Sequence, residues 1–187
     1  MNTSRGARFA VCAAVLVVVA ACDATTGLPP ATIPNVVDTI SLYALDGTPL
    51  SAPSGYNLAG NAVVRTDRAL RFDFVFNITP AGQAVLLPTG AIGLGRASGI
   101  LVQTVPFDAV TIAPTTVYVD SLAVPLDSGT VAVLHSQATT CLYGSIVFYY
   151  GKVEVLAIDT VARRIDLQVL VDQNCGYRGL EPGTPRR

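Results

Sequence analysis

Apolar and polar side chains alternate along much of this chain, and the pattern predicts β-strands. Between residues 70 and 78, every second side chain is large and apolar: Phe72, Phe74, Phe76 and Ile78. Polar side chains fill three of the positions between them: Arg71, Asp73 and Asn77. Because the side chains of a strand point alternately to its two faces, this segment is predicted to be a half-buried strand.

Two further alternating segments predict an antiparallel hairpin near the C-terminus. They are residues 152–159 and 164–171, and the apolar side chains of the second are Ile165, Leu167, Val169 and Val171. Residues 160–163 would form the turn between them.

Other short strands are predicted between proline and glycine breakers. They fall at residues 37–45, 61–66, 83–87, 100–105, 117–124, 130–136 and 145–150. Asp46 and Gly47 follow the first of them and are a strong signal for a hairpin turn. The best helical candidate is a turn near residues 106–110. The pattern therefore predicts an all-β fold, an antiparallel β-sandwich of about 8–10 strands over residues 36–187, immunoglobulin-like or jelly-roll-like.

The N-terminus has the pattern of an export signal. Arg5 and Arg8 give it a positive charge, and residues 9–21 are apolar except for Cys12. A run of about 13 residues fits the apolar region of a secretory signal and is too short to span a bilayer as a helix. Residues 19–22, Val-Ala-Ala-Cys, resemble the lipobox of bacterial lipoproteins, with valine where leucine is usual.

This resemblance implies a lipid anchor. Lipoprotein signal peptidase would remove residues 1–21, and the sulfur of Cys22 would carry a diacylglyceryl group. Two or three acyl chains anchor a protein stably, whereas one is marginal. The alternative is an ordinary secretory signal with a cysteine there by chance. The expected location is the bacterial cell envelope. Asp23 resembles an enterobacterial signal for retention in the inner membrane, but other phyla do not follow that rule, so both membranes stay open.

Residues 22–35 are predicted to be a tether. Pro29, Pro30 and Pro34 stand there among threonine, glycine and alanine. If extended, residues 24–35 would lift the domain roughly 35–40 Å above the lipid, at roughly 3 Å for each of about 12 residues.

The composition excludes some classes of protein. The chain is 51% hydrophobic and 13% charged, which is not the composition of a disordered chain. The net charge is −1, or about −3 after Arg5 and Arg8 leave with the signal, and no basic patch suggests a nucleic-acid partner. The expected partners are the membrane, through the anchor, and an envelope protein or polysaccharide. No cofactor is expected.

The cysteines agree with an exported protein. Cys12 would leave with the signal and Cys22 would carry lipid, so Cys141 and Cys175 remain as an even pair. In an oxidising compartment such a pair predicts a disulfide. A metal site would need a second pair of ligands, and the sequence offers no evident one.

Two motifs are candidates for catalysis. Asp127-Ser128-Gly129-Thr130 resembles the active-site loop of aspartic proteases, but those enzymes need two carboxylates, so one copy would require a dimer. The same residues also form an ordinary turn, which is the favoured interpretation. His135 is the only histidine, so a Ser-His-Asp or Cys-His mechanism would depend on it. It is predicted at a strand end, on the face of Val131 and Val133, with a structural hydrogen bond.

A glycine-rich segment is a candidate for binding. Residues 90–99 look like a phosphate-binding loop, but Ser98 replaces the third glycine of G-x-G-x-x-G and no amphipathic helix follows. Gly93, Gly95 and Arg96 are therefore kept only as a candidate binding loop.

The sequence favours a lipid-anchored, non-catalytic binding or structural module. The alternative is an envelope hydrolase that uses Asp127, His135 or both. That alternative requires one of them to line a pocket beside a second titratable group.

Overall fold

The computed structural model describes residues 29–141 and 144–185. The predicted signal, residues 1–21, and the predicted lipid site, Cys22, lie outside the described residues. The described chain is an all-β fold in which two five-stranded sheets pack face to face as a β-sandwich.

Strands account for nearly all the regular structure. Their bounds are β1 (Val37–Tyr43), β2 (Gly55–Asn57), β3 (Ala62–Val64), β4 (Phe74–Ile78), β5 (Ala84–Pro88), β6 (Gly99–Gln103), β7 (Val124–Pro125), β8 (Val131–His135), β9 (Thr139–Thr140), β10 (Ile146–Val147), β11 (Tyr150–Asp159) and β12 (Arg164–Asp172). The segments Thr89–Ile92 and Phe107–Ala109 are 3₁₀ turns, and the second confirms the turn predicted near residues 106–110.

All strand pairs are antiparallel. Sheet I has the order β1-β12-β11-β8-β6, and sheet II has the order β3-β2-β4-β5-β7. Strands β9 and β10 form a separate two-stranded ribbon. The predicted C-terminal hairpin is confirmed: β11 pairs with β12 along its length, with one irregularity between Val155 and Ala157.

The main core lies between the sheets. The apolar face predicted for β12 points inward, where Ile165, Leu167, Val169 and Val171 are buried. Sheet II supplies the opposite side with large residues that include Tyr56, Phe74, Phe76 and Leu86. This burial of apolar surface is the largest favourable contribution to folding.

Sheet I is also covered on part of its outer face. There β8 presents Val131 and Val133, and β12 presents Leu170. Two irregular segments, residues 105–118 and 177–183, lie over these side chains and bury four apolar residues against them: Phe107, Val110, Ala113 and Leu180. The outer face therefore supports a second apolar cluster.

Lys152, the only lysine of the chain, lies beneath this cover and is 1% exposed. Its Nζ donates hydrogen bonds to the carbonyl oxygens of Phe107 (2.8 Å) and Val110 (3.0 Å). It also lies 4.3 Å from the centroid of the Phe107 ring. Because a buried carbonyl without a donor is costly, the ammonium group stabilises the covering segment.

The chain entering the domain is held down by the segment that follows β12. The side chain of Asn174 accepts hydrogen bonds from the backbone amides of Thr32 (2.8 Å) and Ile33 (3.0 Å). Asn35 pairs with Gly183 through two backbone hydrogen bonds. Residues 29–35, which the sequence assigned to the tether, are thus attached to the domain.

The predicted disulfide is present and lies at the same end of the domain. Cys141 and Cys175 are joined across a sequence separation of 34, with their Cα atoms 6.0 Å apart. The bond connects the start of the ribbon turn to the loop that carries Asn174.

Two of the predicted strands differ from the structure. The strand predicted over residues 70–78 begins only at Phe74, because the buried carboxylate of Asp73 accepts hydrogen bonds from the backbone amides of Leu58 and Gln137. Residues 117–124 are irregular apart from a bridge at Val119 and the start of β7, since Val117 adopts a positive φ of 67°.

The turn at Asp46 and Gly47 does not make a hairpin. Strand β1 belongs to sheet I and β2 to sheet II, so the turn carries the chain from one sheet to the other.

Reduction of the disulfide should lower the free energy of unfolding by about 3–4 kcal/mol, because an opened cross-link restores chain entropy to the unfolded state. Urea unfolding with and without a thiol reductant measures this change. The matched control is the double variant Cys141→Ser/Cys175→Ser, whose unfolding midpoint the reductant should not move. An unchanged midpoint in the natural chain would contradict the expectation.

Candidate functional site

Asp127 lies at an exposed turn between β7 and β8. Its backbone amide donates to the side-chain oxygen of Thr130 (2.9 Å), and the amide of Thr130 donates back to the carbonyl oxygen of Asp127 (3.0 Å). The amide of Gly129 donates to the carbonyl oxygen of Val155 (2.8 Å). These bonds show that residues 127–130 form a turn that is attached to β11.

His135 ends β8 and lies on the outer face of sheet I with Val131 and Val133, as the alternation predicts. Its Nδ1 lies 2.9 Å from the carbonyl oxygen of Ser136, so Nδ1 donates and the neutral ring keeps its lone pair at Nε2. The predicted structural hydrogen bond is therefore confirmed.

Aromatic rings surround the half-buried histidine. The ring of Tyr118 meets it edge-on at 4.6 Å between centroids, and the ring of Phe148 does so at 5.2 Å. Tyr150, its neighbour on β11, lies at 6.5 Å. Burial lowers the pKa of His135, against the opposing effects of the Ser136 carbonyl and of the charges on Asp73 and Asp120. The imidazole is thus held neutral at pH 7 among aromatic neighbours.

The structure does not bring His135 and Asp127 together. Asp127 lies in the turn before β8 and His135 at the other end of that strand, whose five residues span about 13 Å. An acid–base pair needs its groups within hydrogen-bond reach or one water apart. These two residues therefore do not form the pair that the hydrolase hypothesis requires.

Close packing explains the glycine opposite His135. Gly99 on β6 pairs with His135 in the register of the sheet. A Cβ atom at Gly99 would lie 2.5 Å from Nε2 of His135 and 2.6 Å from Cβ of Tyr118. The histidine ring occupies the space over this glycine, and nothing in the sequence alone signals that contact.

The candidate binding loop has structural reasons for its glycines. Gly93 and Gly95 adopt positive φ angles of 78° and 86°, a conformation that glycine accepts without strain. A Cβ at Gly90 would fall 2.1 Å from the carbonyl oxygen of Asp120, so only glycine fits there. These glycines form and pack the loop itself.

Several amides of this loop are bonded within the loop itself. The hydroxyl of Thr89 accepts a hydrogen bond from the amide of Ser98 (3.2 Å) and donates to the carbonyl oxygen of Gly95 (2.7 Å). The amide of Leu94 donates to the carbonyl oxygen of Thr89 (2.9 Å). A phosphate cradle needs a run of amides free to face an anion, and here the amides of Gly93, Leu94 and Ser98 close the loop.

Arg96 is paired on the surface. Its guanidinium donates to the carboxylate of Asp120, at 3.0 Å from Nε and 2.9 Å from Nη2. Its hydrogen bond holds the pKa of Asp120 below its ordinary value. Arg96 is well exposed to solvent and Asp120 is partly exposed, and a surface pair of this kind contributes little to stability.

A buried polar cluster lies at the end of β12, and the sequence did not predict it. Asp172 ends β12 and is fully buried, and its Oδ1 accepts hydrogen bonds from the backbone amide (2.9 Å) and side-chain nitrogen (2.8 Å) of Asn174. Its Oδ2 has no hydrogen-bond partner among the described residues. Burial raises the pKa of Asp172. The sequence pattern gives no sign that this carboxylate is covered, because the residues that cover it come from distant segments.

Within residues 29–141 and 144–185, no cluster of three or more histidine, cysteine or acidic side chains could hold a metal ion. None of the helices in this part of the chain has the length and apolar character to cross a membrane. Comparisons of the chain with protein-family models, with curated proteins and with solved structures found no match. The fold defines the class of the protein as a disulfide-bonded β-sandwich.

The variant Gly99→Ala should be destabilised by about 1–3 kcal/mol, because its methyl group collides with the His135 ring. The double variant Gly99→Ala/His135→Ala lacks that ring and should recover part of the loss. Its destabilisation should therefore be smaller than the sum for the two single variants by at least about 0.5 kcal/mol. Urea unfolding of the four proteins measures this coupling. Gly60→Ala is the control, since a Cβ there makes only ordinary contacts, of 3.5 Å or more. Additive losses would contradict the packing assignment.

The variant Asp172→Asn should become more stable relative to the natural chain as the pH rises. Because the folded pKa of Asp172 lies above its unfolded value, the native state binds the extra proton, and stability falls as pH rises through that window. Asparagine has no such loss and retains the oxygen that binds Asn174. The natural chain should therefore lose stability relative to the variant between pH 4 and pH 7.

Urea unfolding at the two pH values measures this loss, with Asp127→Asn at the exposed turn as the control. A difference that is the same at both pH values would contradict the role assigned to the buried charge.

Proposed function

We propose that this chain is a lipid-anchored protein of the bacterial cell envelope whose β-sandwich serves as a non-catalytic binding or structural module. The observation that carries the proposal is the disulfide between Cys141 and Cys175. Disulfides persist in oxidising compartments outside the cytoplasm, which agrees with an export signal that ends at Cys22.

The environment of the candidate catalytic residues supports a non-catalytic module. Asp127 lies at a turn, and His135 donates to a backbone carbonyl while aromatic rings surround it. The buried carboxylate of Asp73 accepts backbone hydrogen bonds at both of its oxygens. Each of these groups has a structural role that accounts for its position.

The surface suits contacts with a component of the envelope. The outer face of sheet I that remains uncovered carries polar side chains of β1, β11 and β12: Thr39, Ser41, Glu154, Asp166 and Gln168. Side chains with hydroxyl, amide and carboxylate groups can form hydrogen bonds with a polysaccharide or with a polar protein surface. The proposed partner is therefore an envelope protein or polysaccharide, and nucleic acid is not proposed.

The variant Cys22→Ala should lose all label when the chain is expressed in bacteria that are fed radioactive palmitate, because it lacks the sulfur that carries the diacylglyceryl group. The variant Cys12→Ala is the matched control, since Cys12 lies in the part that is removed, and it should keep the label. Label retained by Cys22→Ala would contradict the proposed anchor.

A further inference from the structure

The described chain starts at one end of the sandwich, next to the disulfide. The hydroxyl of Tyr177 donates to the carbonyl oxygen of Pro29 (3.0 Å), and Asn174 binds the amides of Thr32 and Ile33. We call this the anchor end and define it by residues 29–36, 144–149 and 173–177. Strands β1 and β11 begin there, and β8 and β12 end there.

The distance from this end to the proposed lipid is short. Only residues 23–28 separate Cys22 from Pro29. Even fully extended, that stretch spans at most about 25 Å. Strand β12 alone has nine residues, which makes it about 30 Å long. Because the connection is shorter than this strand, the anchor end stays within about 25 Å of the lipid surface when Cys22 is acylated, whereas the opposite end of β12 can lie beyond that reach.

The anchor end carries exposed apolar side chains. The exposed fractions are 43% for Ile33, 64% for Val36, 75% for Ile146 and 38% for Phe148. Ile33 and Ile146 are connected through a chain of contacts. Ile33 is bound to Asn174, the next residue is joined by the disulfide to Cys141, and the amide of Cys141 donates to the carbonyl oxygen of Ser145 (2.7 Å).

The charges there do not oppose contact with lipid. Arg178 and Glu181 in the nearby covering segment have opposite signs, and the guanidinium of Arg71 donates to the carbonyl oxygen of Ala138. Asp172 is buried below the surface. At the other end of sheet I, by contrast, the exposed Val161 stands in a turn beside Asp159, Arg163 and Arg164.

We propose that the anchor end lies against the lipid headgroups of the membrane that holds Cys22, with Ile33, Val36, Ile146 and Phe148 entering the interfacial layer. This proposal rests on the proposed lipidation. An exposed apolar patch that inserts at the interface adds to the binding by acyl chains and orients the domain. The polar face of sheet I then extends away from the bilayer.

The absence of tryptophan from the chain provides the test. The variant Ile146→Trp places one tryptophan at the anchor end, and Val161→Trp places one at the opposite turn, where the side chain is 94% exposed. Both positions are on the surface, so both variants should fold, and circular dichroism confirms that they do. The processed, lipidated proteins are reconstituted into vesicles of phosphatidylcholine and phosphatidylglycerol, with and without brominated acyl chains.

Bromine quenches tryptophan only at short range, so quenching reports contact with lipid. Emission of Ile146→Trp should shift to the blue and be quenched several-fold more strongly than that of Val161→Trp. Equal quenching of the two, or stronger quenching of Val161→Trp, would overturn the proposed orientation. The intact mass of the reconstituted protein distinguishes the proposed lipid anchor from the proposed orientation. A diacylglyceryl mass with equal quenching refutes the orientation alone, whereas its absence refutes the anchor and the orientation together.

Discussion

Strand β8 of sheet I carries apolar side chains on both faces, as does the end of β12, and this constraint governs much of the remaining structure. In β8, Ala132 and Leu134 point into the main core, while Val131 and Val133 point outward. A sheet with one wet face would alternate between apolar and polar side chains. Here the outer face must be covered, and the chain supplies two irregular segments, residues 105–118 and 177–183, to cover it.

Covering a sheet with irregular chain creates a second requirement. Such segments lack the regular hydrogen bonds of a strand, so their buried carbonyl groups need other donors. Lys152 meets this requirement for Phe107 and Val110. The burial of the only lysine is thus a consequence of the apolar outer face. Its ammonium group is expensive to desolvate, but two hydrogen bonds and an aromatic ring offset that cost.

The cover also decides where the chain enters the domain. Residues 172–183 pass from the end of β12 onto the outer face, and on the way they bind the incoming segment through Asn174 and Gly183. A proline-rich sequence that was expected to stand free is attached to the fold from Pro29 onward. The attachment fixes the end of the sandwich at which the incoming chain meets the domain, so packing on one face of sheet I decides where Pro29 lies.

Short-range alternation predicted the parts of the fold that depend on it. The β11–β12 hairpin and the inward face of β12 follow from residues that are neighbours in sequence. Partners distant in sequence decided the rest. Asp73 lies in an alternating run, yet amides from Leu58 and Gln137 bury it and the strand starts later. Alternation also cannot show that the polar-looking turn at Asp46 connects two different sheets.

The candidate site residues show the same division. The position of His135 on the valine face was predictable, because it depends on the period of one strand. The rings of Tyr118 and Phe148 around it were not, since each comes from a different segment. The glycines near this histidine resembled a ligand-binding loop, but Gly90 and Gly99 are required by backbone and side chains that approach from elsewhere in the fold. A glycine can mark the approach of a ligand or of the protein itself, and only the tertiary structure distinguishes the two.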